Sequence, residues 1–252
     1  MLRFSDIVFG PVHSRRLGSS LGVNLLPRDG KLCNFDCIYC ECGWNRDGRS
    51  GGGMPDVSMV RAAMEDRFKT LASEGVKVDS VTFSGNGEPT LNPDFPAIID
   101  ATVELRDRYL PGAVISVLSN ATTAYRPEVV EALMKTDNPI LKIDAPDDSG
   151  ALRINRPYPG YHVAETVRSL GRFNGNFILQ TMFLRGDGCD PADPAWISGW
   201  MEIVRQLHPR EVMVYTIDRE TPEKGLEKLT VEEMTELVKP LIDSGFNIQI
   251  RG

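Results

Sequence analysis

Residues 33–40 read Cys33-Asn34-Phe35-Asp36-Cys37-Ile38-Tyr39-Cys40, three cysteines at i, i+4 and i+7 in a loop that opens just after an apolar run. Three thiolates within that reach can hold one iron–sulfur cluster or one metal ion. A four-iron cluster takes one thiolate per iron, so three cysteines leave one iron open to something that is not protein. A zinc site built on the same cysteines is the alternative.

Upstream of the loop, Val23-Asn24-Leu25-Leu26-Pro27 reads as a first strand that delivers the chain into it. Downstream, residues 45–54 contain Gly48, Gly51, Gly52 and Gly53, a flexible loop too short to be a domain linker. Asp56 or Ser58 can cap a following helix, with Val60, Ala63, Met64, Phe68 and Leu71 at helical spacing. Strands are then expected over 78–83, 113–118, 140–143, 177–183, 211–215 and 246–250. Helices are expected over 93–109, 127–136, 163–173, 195–207 and 231–244. Strands alternating with helices of this length predict an α/β fold with a parallel sheet and right-handed crossovers. Six or seven βα units fall short of a closed eight-fold barrel and fit an open, partial (βα)6 TIM-like barrel with outer helices. The expected organisation is one domain, 1–252, with residues 1–22 packing on the core and residues 27–54 forming the cluster-binding and glycine-rich loops. Function in such a sheet lies at the carboxyl ends of the strands.

Composition narrows the setting. Hydrophobic residues at 41% and charged residues at 25% describe an ordinary globular chain. Four of the five cysteines lie within ten residues, which is no disulfide framework and suits metal or redox ligands in a reducing cytoplasm. Residues 1–10 include Arg3 and Asp6 and lack a long apolar segment, so no signal peptide is expected, and no apolar run is long enough for a membrane span. The net charge of −7 weighs against a broad nucleic-acid surface. Arg15 and Arg16 read either as solvated surface charge or as an anion clamp near the cysteines.

Polar residues gather at the strand ends. The second strand ends in Gly85-Asn86-Gly87-Glu88-Pro89, where glycines permit close approach to a ligand and Glu88 offers a carboxylate to an ammonium group. The third ends in Ser119 and Asn120, ligand contacts or a helix cap. The fourth carries Lys142 and Asp144, which alternation sends to one face of the strand. Residues 154–157, Gln180-Thr181, Arg185-Gly186 and the run from Tyr215 to Arg219 occupy positions from which a barrel enzyme recognises substrate. His13, His162 and His208 show no metal-ligand spacing and read as surface or packing residues.

The C-x3-C-x2-C spacing with an aromatic before the last cysteine resembles the signature of radical S-adenosylmethionine (SAM) enzymes. Together with residues 10–23, the Gly85–Pro89 turn, residues 153–157 and 215–219, and Glu223-Lys224-Gly225, the chain resembles the branch related to the iron–sulfur enzymes of wybutosine (tRNA wyosine) biosynthesis. The resemblance implies a four-iron four-sulfur cluster on Cys33, Cys37 and Cys40. It implies SAM held by Tyr39, Gly85, Asn86, Gly87, Glu88, Ser119, Asn120, Lys142 and Asp144, with Tyr39 against the adenine and Phe35 shielding the cluster. It also implies reductive cleavage of SAM to a 5′-deoxyadenosyl radical that abstracts hydrogen from a small molecule or a protein side chain. An electron donor such as flavodoxin or ferredoxin is then required. The family pattern lacks the interposed Asn86. Wyosine enzymes carry further cysteines and basic surface that this chain does not share, so a tRNA substrate is the alternative, and a zinc-bearing barrel with a binding role is the alternative of another class. Cys42 reads as an inert thiol, with cluster exchange or a redox role as the alternative. Cys189, Tyr215 and Asp218 are the catalytic candidates, Cys189 as a hydrogen-atom donor if it faces the barrel mouth and otherwise as a solvent-exposed bystander.

Overall fold

The computed structural model describes residues 4–14, 16–47 and 52–252. Arg15, Gly48 and Gly51, singled out from sequence, lie outside the described residues.

The chain opens with an antiparallel hairpin, β1 (Val8–Ser14) and β2 (Gly18–Val23). There follow α1 (Val57–Ser73), β3 (Ser80–Phe83), α2 (Phe95–Tyr109), β4 (Val114–Ser119), α3 (Pro127–Met134), β5 (Asn138–Lys142), α4 (Asp148–Ile154), α5 (Val163–Leu170) and β6 (Ile178–Met182). A two-residue strand, β7 (Leu184–Arg185), precedes α6 (Pro194–Leu207) and β8 (Glu211–Tyr215). The chain ends with a second short strand, β9 (Glu227–Lys228), then α7 (Val231–Asp243) and β10 (Ile248–Arg251). The main sheet runs β1-β2-β3-β4-β5-β6-β8-β10, parallel throughout except for the β1–β2 pair, while β7 and β9 pair apart from it. Helix–strand alternation thus builds an open, curled sheet, the expected partial barrel, in which β1 and β10 are not paired.

Local chemistry sets the boundaries. Asp56 rather than Ser58 caps α1, its carboxylate accepting from Met59 N at 2.9 Å. Thr230 and Glu233 form a reciprocal capping box on α7. The central strands read as continuous apolar runs because both faces are covered: Val81, Phe83, Ile115, Val117, Leu141, Leu179, Val212 and Val214 are all buried. No helix among the described residues is long and apolar enough to cross a membrane.

One sequence expectation needs correction. The first parallel strand is Gly18–Val23, not 23–27. Asn24 ends it by folding back, with Oδ1 accepting from Leu26 N at 3.1 Å and Nδ2 donating to Leu26 O at 3.2 Å. The residues before it, expected only to pack on the core, include the antiparallel hairpin. Gly22 is required there, since a Cβ at that position would sit 2.1 Å from the Phe9 ring, which stacks on Phe4.

Candidate active site

The cysteine loop has no regular secondary structure, so its backbone groups must find partners on other elements. On one side Leu32 N donates to Asn86 O (2.8 Å) and Glu88 N to Leu32 O (3.1 Å), pinning the loop to the turn after β3. On the other, Asp36 N donates to Asn155 O (2.9 Å) and Ile38 N to Ile154 O (3.0 Å), tying it to the end of α4. Within the loop, Lys31 is 4% exposed and its ammonium donates to Gly43 O (2.8 Å) and Asp36 (3.2 Å), while Asp36 also accepts from Asn45 N (2.8 Å).

Cys33, Cys37 and Cys40 all border one cavity of about 520 Å³ inside the carboxyl ends of the strands. Among the described residues no three His, Cys, Asp or Glu side chains converge closely enough to hold a single metal ion. Burial pushes the Cys33 thiol up, and it pushes Cys37 to about 11 with help from the neighbouring Cys40 and Asp144. Cys40 is held below the ordinary thiol range, first by its neighbour Cys42 and then by the Lys31 charge, and Cys42 is raised by Cys40 and by burial. Burial opposes the Lys31 charge, but the neighbouring Cys40, Cys33 and Cys37 sulfurs and the Asp36 carboxylate outweigh it and raise its pKa. Lys31 is therefore the fixed positive charge beside the sulfur atoms. Cys42 also lies on the cavity wall, with Sγ 3.1 Å from Gly85 O.

The Gly85–Pro89 turn serves the protein before it serves a ligand. Gly87, at φ +137°, lies so close to the cysteine loop that a Cβ would stand 1.9 Å from Leu32 O, and one on Gly85 would strike the Asn24 side chain at 2.6 Å. Both glycines border the cavity. Asn86 does not: its amide is consumed by Phe4 N and O, both at 3.0 Å, and by Pro27 O at 2.9 Å, clamping the N-terminal segment and cysteine loop together. The interposed residue's side chain is thus a clamp behind the wall. Glu88 is 2% exposed. Its Oε1 accepts from Thr90 N (3.1 Å), Thr90 Oγ1 (2.6 Å) and Ser119 Oγ (2.8 Å), and its Oε2 from Asn120 N (2.7 Å). Burial still raises its pKa despite these donors. Only Oε2 keeps a lone pair to spare. Asn120 in turn donates to Asn34 Oδ1 at 2.7 Å, and its Nδ2 stands 3.7 Å from Cys33 Sγ.

Lys142 and Asp144 share a face as alternation requires, at different depths. Lys142 borders the cavity, its ammonium donating to Tyr215 OH at 2.6 Å and standing 5.1 Å from the Tyr39 ring centre. Asp144 lies behind the wall. It accepts from the Tyr39 hydroxyl, from Asn155 Nδ2 (2.6 Å) and from Met182 N (2.8 Å), and pairs with Lys142 at 3.5 Å. Burial would depress Lys142, but Asp144 and Tyr215 outweigh it and raise its pKa. Burial and the adjacent Asp144 keep the Tyr39 phenol protonated well above its ordinary range.

Tyr215 and Asp218 border the cavity as expected for substrate-facing positions. Cys189 does not. It is 4% exposed in the apolar core, its pKa raised to about 11 by burial, and it is absent from the cavity wall. The β7–β9 pair and the Gly186–Cys189 turn fold it inward. His13, expected at the surface or in packing, lies on the cavity wall with the hairpin. Three contributors escaped the sequence reading. Lys31 carried a signal, a lysine two residues before the first cysteine. Asn155, whose Nδ2 stands 3.4 Å from Cys37 Sγ, was grouped only with substrate positions. Leu17 was read as part of a polar stretch.

The family model of the radical SAM superfamily matches residues 29–188, well over half of the chain, and the chain belongs to that superfamily. Its members bind a four-iron four-sulfur cluster and SAM, and the chain is a radical SAM enzyme. Among curated relatives it is 31% identical to the UPF0026 protein of Helicobacter pylori strain 26695 over 232 residues, covering 90% of this chain and 71% of that protein. It is 30% identical to UPF0026 protein MJ1312 of Methanocaldococcus jannaschii over 240 residues, covering 92% and 70%. Among solved structures it is similar to Streptococcus suis SuiB bound to S-adenosylmethionine (TM-score 0.64, 16% identity, 92% of this chain) and spans about half of that chain, 50%. It is also similar to TYW1 with a lysine–pyruvate adduct bound (TM-score 0.61, 17% identity, 92% of this chain and 76% of that one). At these identities the structural likeness is one of fold.

Proposed function

We propose that Cys33, Cys37 and Cys40 hold the four-iron four-sulfur cluster and that SAM lies in the adjoining cavity. On this reading the chain acts as one domain on a small molecule or a protein side chain. When bound, the pair supplies the superfamily's chemistry: an electron cleaves SAM to a 5′-deoxyadenosyl radical, which takes a hydrogen atom from the substrate. The observation that carries this reading is the placement of three thiols on one wall of a cavity whose other walls are the Gly85–Glu88 turn and the strand ends. A cubane is wide enough to give each thiol its own iron, whereas among the described residues no set of three ligands converges on a single small ion.

The residues divide the work as follows. Lys31 offsets the negative charge of the thiolates. Gly85 and Gly87 keep the wall beside the cysteines free of side chains, and the spare lone pair on Glu88 Oε2 suits the SAM ammonium. Ser119 and Asn120 hold that carboxylate in place. Tyr39, fixed through its hydroxyl by Asp144, lines the cavity beside the cysteines. The walls orient the reactants and exclude water.

Anaerobic reconstitution with iron and sulfide tests the reading. The expected product is a brown protein that forms 5′-deoxyadenosine from SAM and dithionite, with Cys40→Ala colourless and inactive. A fully loaded wild-type protein that leaves SAM intact overturns the proposal.

A further inference from the structure

Arg16 and Leu17, between β1 and β2, reach into the sheet. Leu17 packs on Ile140, Ile178 and Met213 from β5, β6 and β8. Beside it the Arg16 guanidinium lies over the Tyr215 ring, 4.6 Å from its centre. Lys142 meets the same tyrosine, with Nζ 2.6 Å from its hydroxyl and 5.0 Å from its ring centre. Arg16, Lys142 and Tyr215 all border the cavity, together with Gln180, Ser20 and Thr82.

The two cations differ in their partners. Lys142 has Asp144 and Tyr215. Arg16 Nη1 is buried and, among the described residues, has no hydrogen-bond partner. The acidic groups on the cavity wall do not supply one: Glu41 pairs with Arg219 at 2.6 Å, Glu88 is held by Ser119, Thr90 and Asn120, and Asp218 is engaged in other interactions. A buried guanidinium nitrogen left without an acceptor is costly, and native structures leave few such groups. The missing acceptor is supplied by whatever fills the cavity. Guanidinium and ammonium groups set around a phenol suit an anionic oxygen pair, a carboxylate or a phosphate.

We propose that Arg16, Lys142 and Tyr215 form an anion subsite, distinct from the SAM subsite, that takes the carboxylate or phosphate group of a small-molecule substrate. The proposal rests on the cluster-and-SAM reading and narrows its substrate class to an anionic metabolite.

The test is calorimetric titration of the anaerobically reconstituted protein with succinate, inorganic phosphate and neutral succinamide, each with and without saturating SAM. Succinate or phosphate binds and succinamide does not, and the anion that binds identifies the source. Arg16→Met weakens that binding at least about ten-fold, as does Arg16→Gln, which keeps a polar side chain should the methionine variant fold poorly. SAM affinity, measured on the same samples, reports separately on the cofactor reading. If SAM fails to bind, that reading falls while the SAM-free titrations still decide the anion site. Absence of anion binding, unchanged affinity in the Arg16 variants, or displacement of SAM by the anion overturns the subsite.

Discussion

Asp144 shows how a single side chain can organise a cavity it does not border. Its oxygens fix the Tyr39 ring, the Asn155 amide beside Cys37 and the end of β6 at Met182, and its charge holds Lys142 protonated. Asp144→Asn keeps the shape and removes the charge, leaving a buried ammonium without a counter-ion. Breaking a buried pair from one side costs on the order of 3–5 kcal/mol, and removing both charges costs less. For a chain of this size that corresponds to a fall in Tm of roughly 6–20 °C. Asp144→Asn should therefore melt well below the wild type, with the Lys142→Met/Asp144→Asn double variant recovering part of the loss. A single variant within about 1 kcal/mol of wild type would show that solvent, not Asp144, balances Lys142. Glu88 is the contrasting case, a carboxylate on the cavity wall with most of its acceptor capacity spent on Thr90, Ser119 and Asn120.

At the level of elements, the cysteine loop is a guest held between the β3–α2 turn and the end of α4. Gly87 is the tightest point of that grip, so a methyl group there must displace either the turn or Leu32. Gly87→Ala is expected to cost at least about 2 kcal/mol through the clash and the positive φ, and to lower iron content per chain. Gly53→Ala, where a Cβ meets nothing within 4 Å, is the control and should change neither. Equal iron content in the two variants would detach the turn from the loop's position. The sequence made the strands and long helices legible because buried parallel strands leave apolar runs and helices leave a 3.6-residue period. It made the three cysteines legible through their spacing. The role of the Asn86 side chain was not legible, because an amide on a glycine turn looks the same whether it faces a ligand or, as here, the backbone of Phe4 and Pro27. Cys189 misled because a polar loop, Arg185 to Asp190, conceals that its one apolar member turns inward. Seven-residue α4, with Gly150 inside it, was too short to leave a period.

The whole molecule depends on a contact that no local pattern announces. The sheet does not close by pairing β1 with β10; the β1–β2 turn instead bridges its inside, Leu17 reaching strands that lie three to six places away in the sheet. That hairpin carries polar residues because Ser14, Arg16 and Ser20 face the cavity, and Gly22 makes room for Phe9. If the bridge holds the hairpin in place, shortening Leu17 should loosen the hairpin before it loosens the barrel. Leu17→Ala is expected to cost about 1–3 kcal/mol, at or below the range for fully buried leucines because Leu17 is only half-buried. Hydrogen exchange should quicken at β1 and β2 while β4 and β5 keep their protection. Val12→Ala, on the same hairpin but 50% exposed, should stay within about 0.5 kcal/mol of wild type. Uniform loss of protection across the sheet would mean that the hairpin and barrel open as one unit, and the bridge would then be only one contact among many.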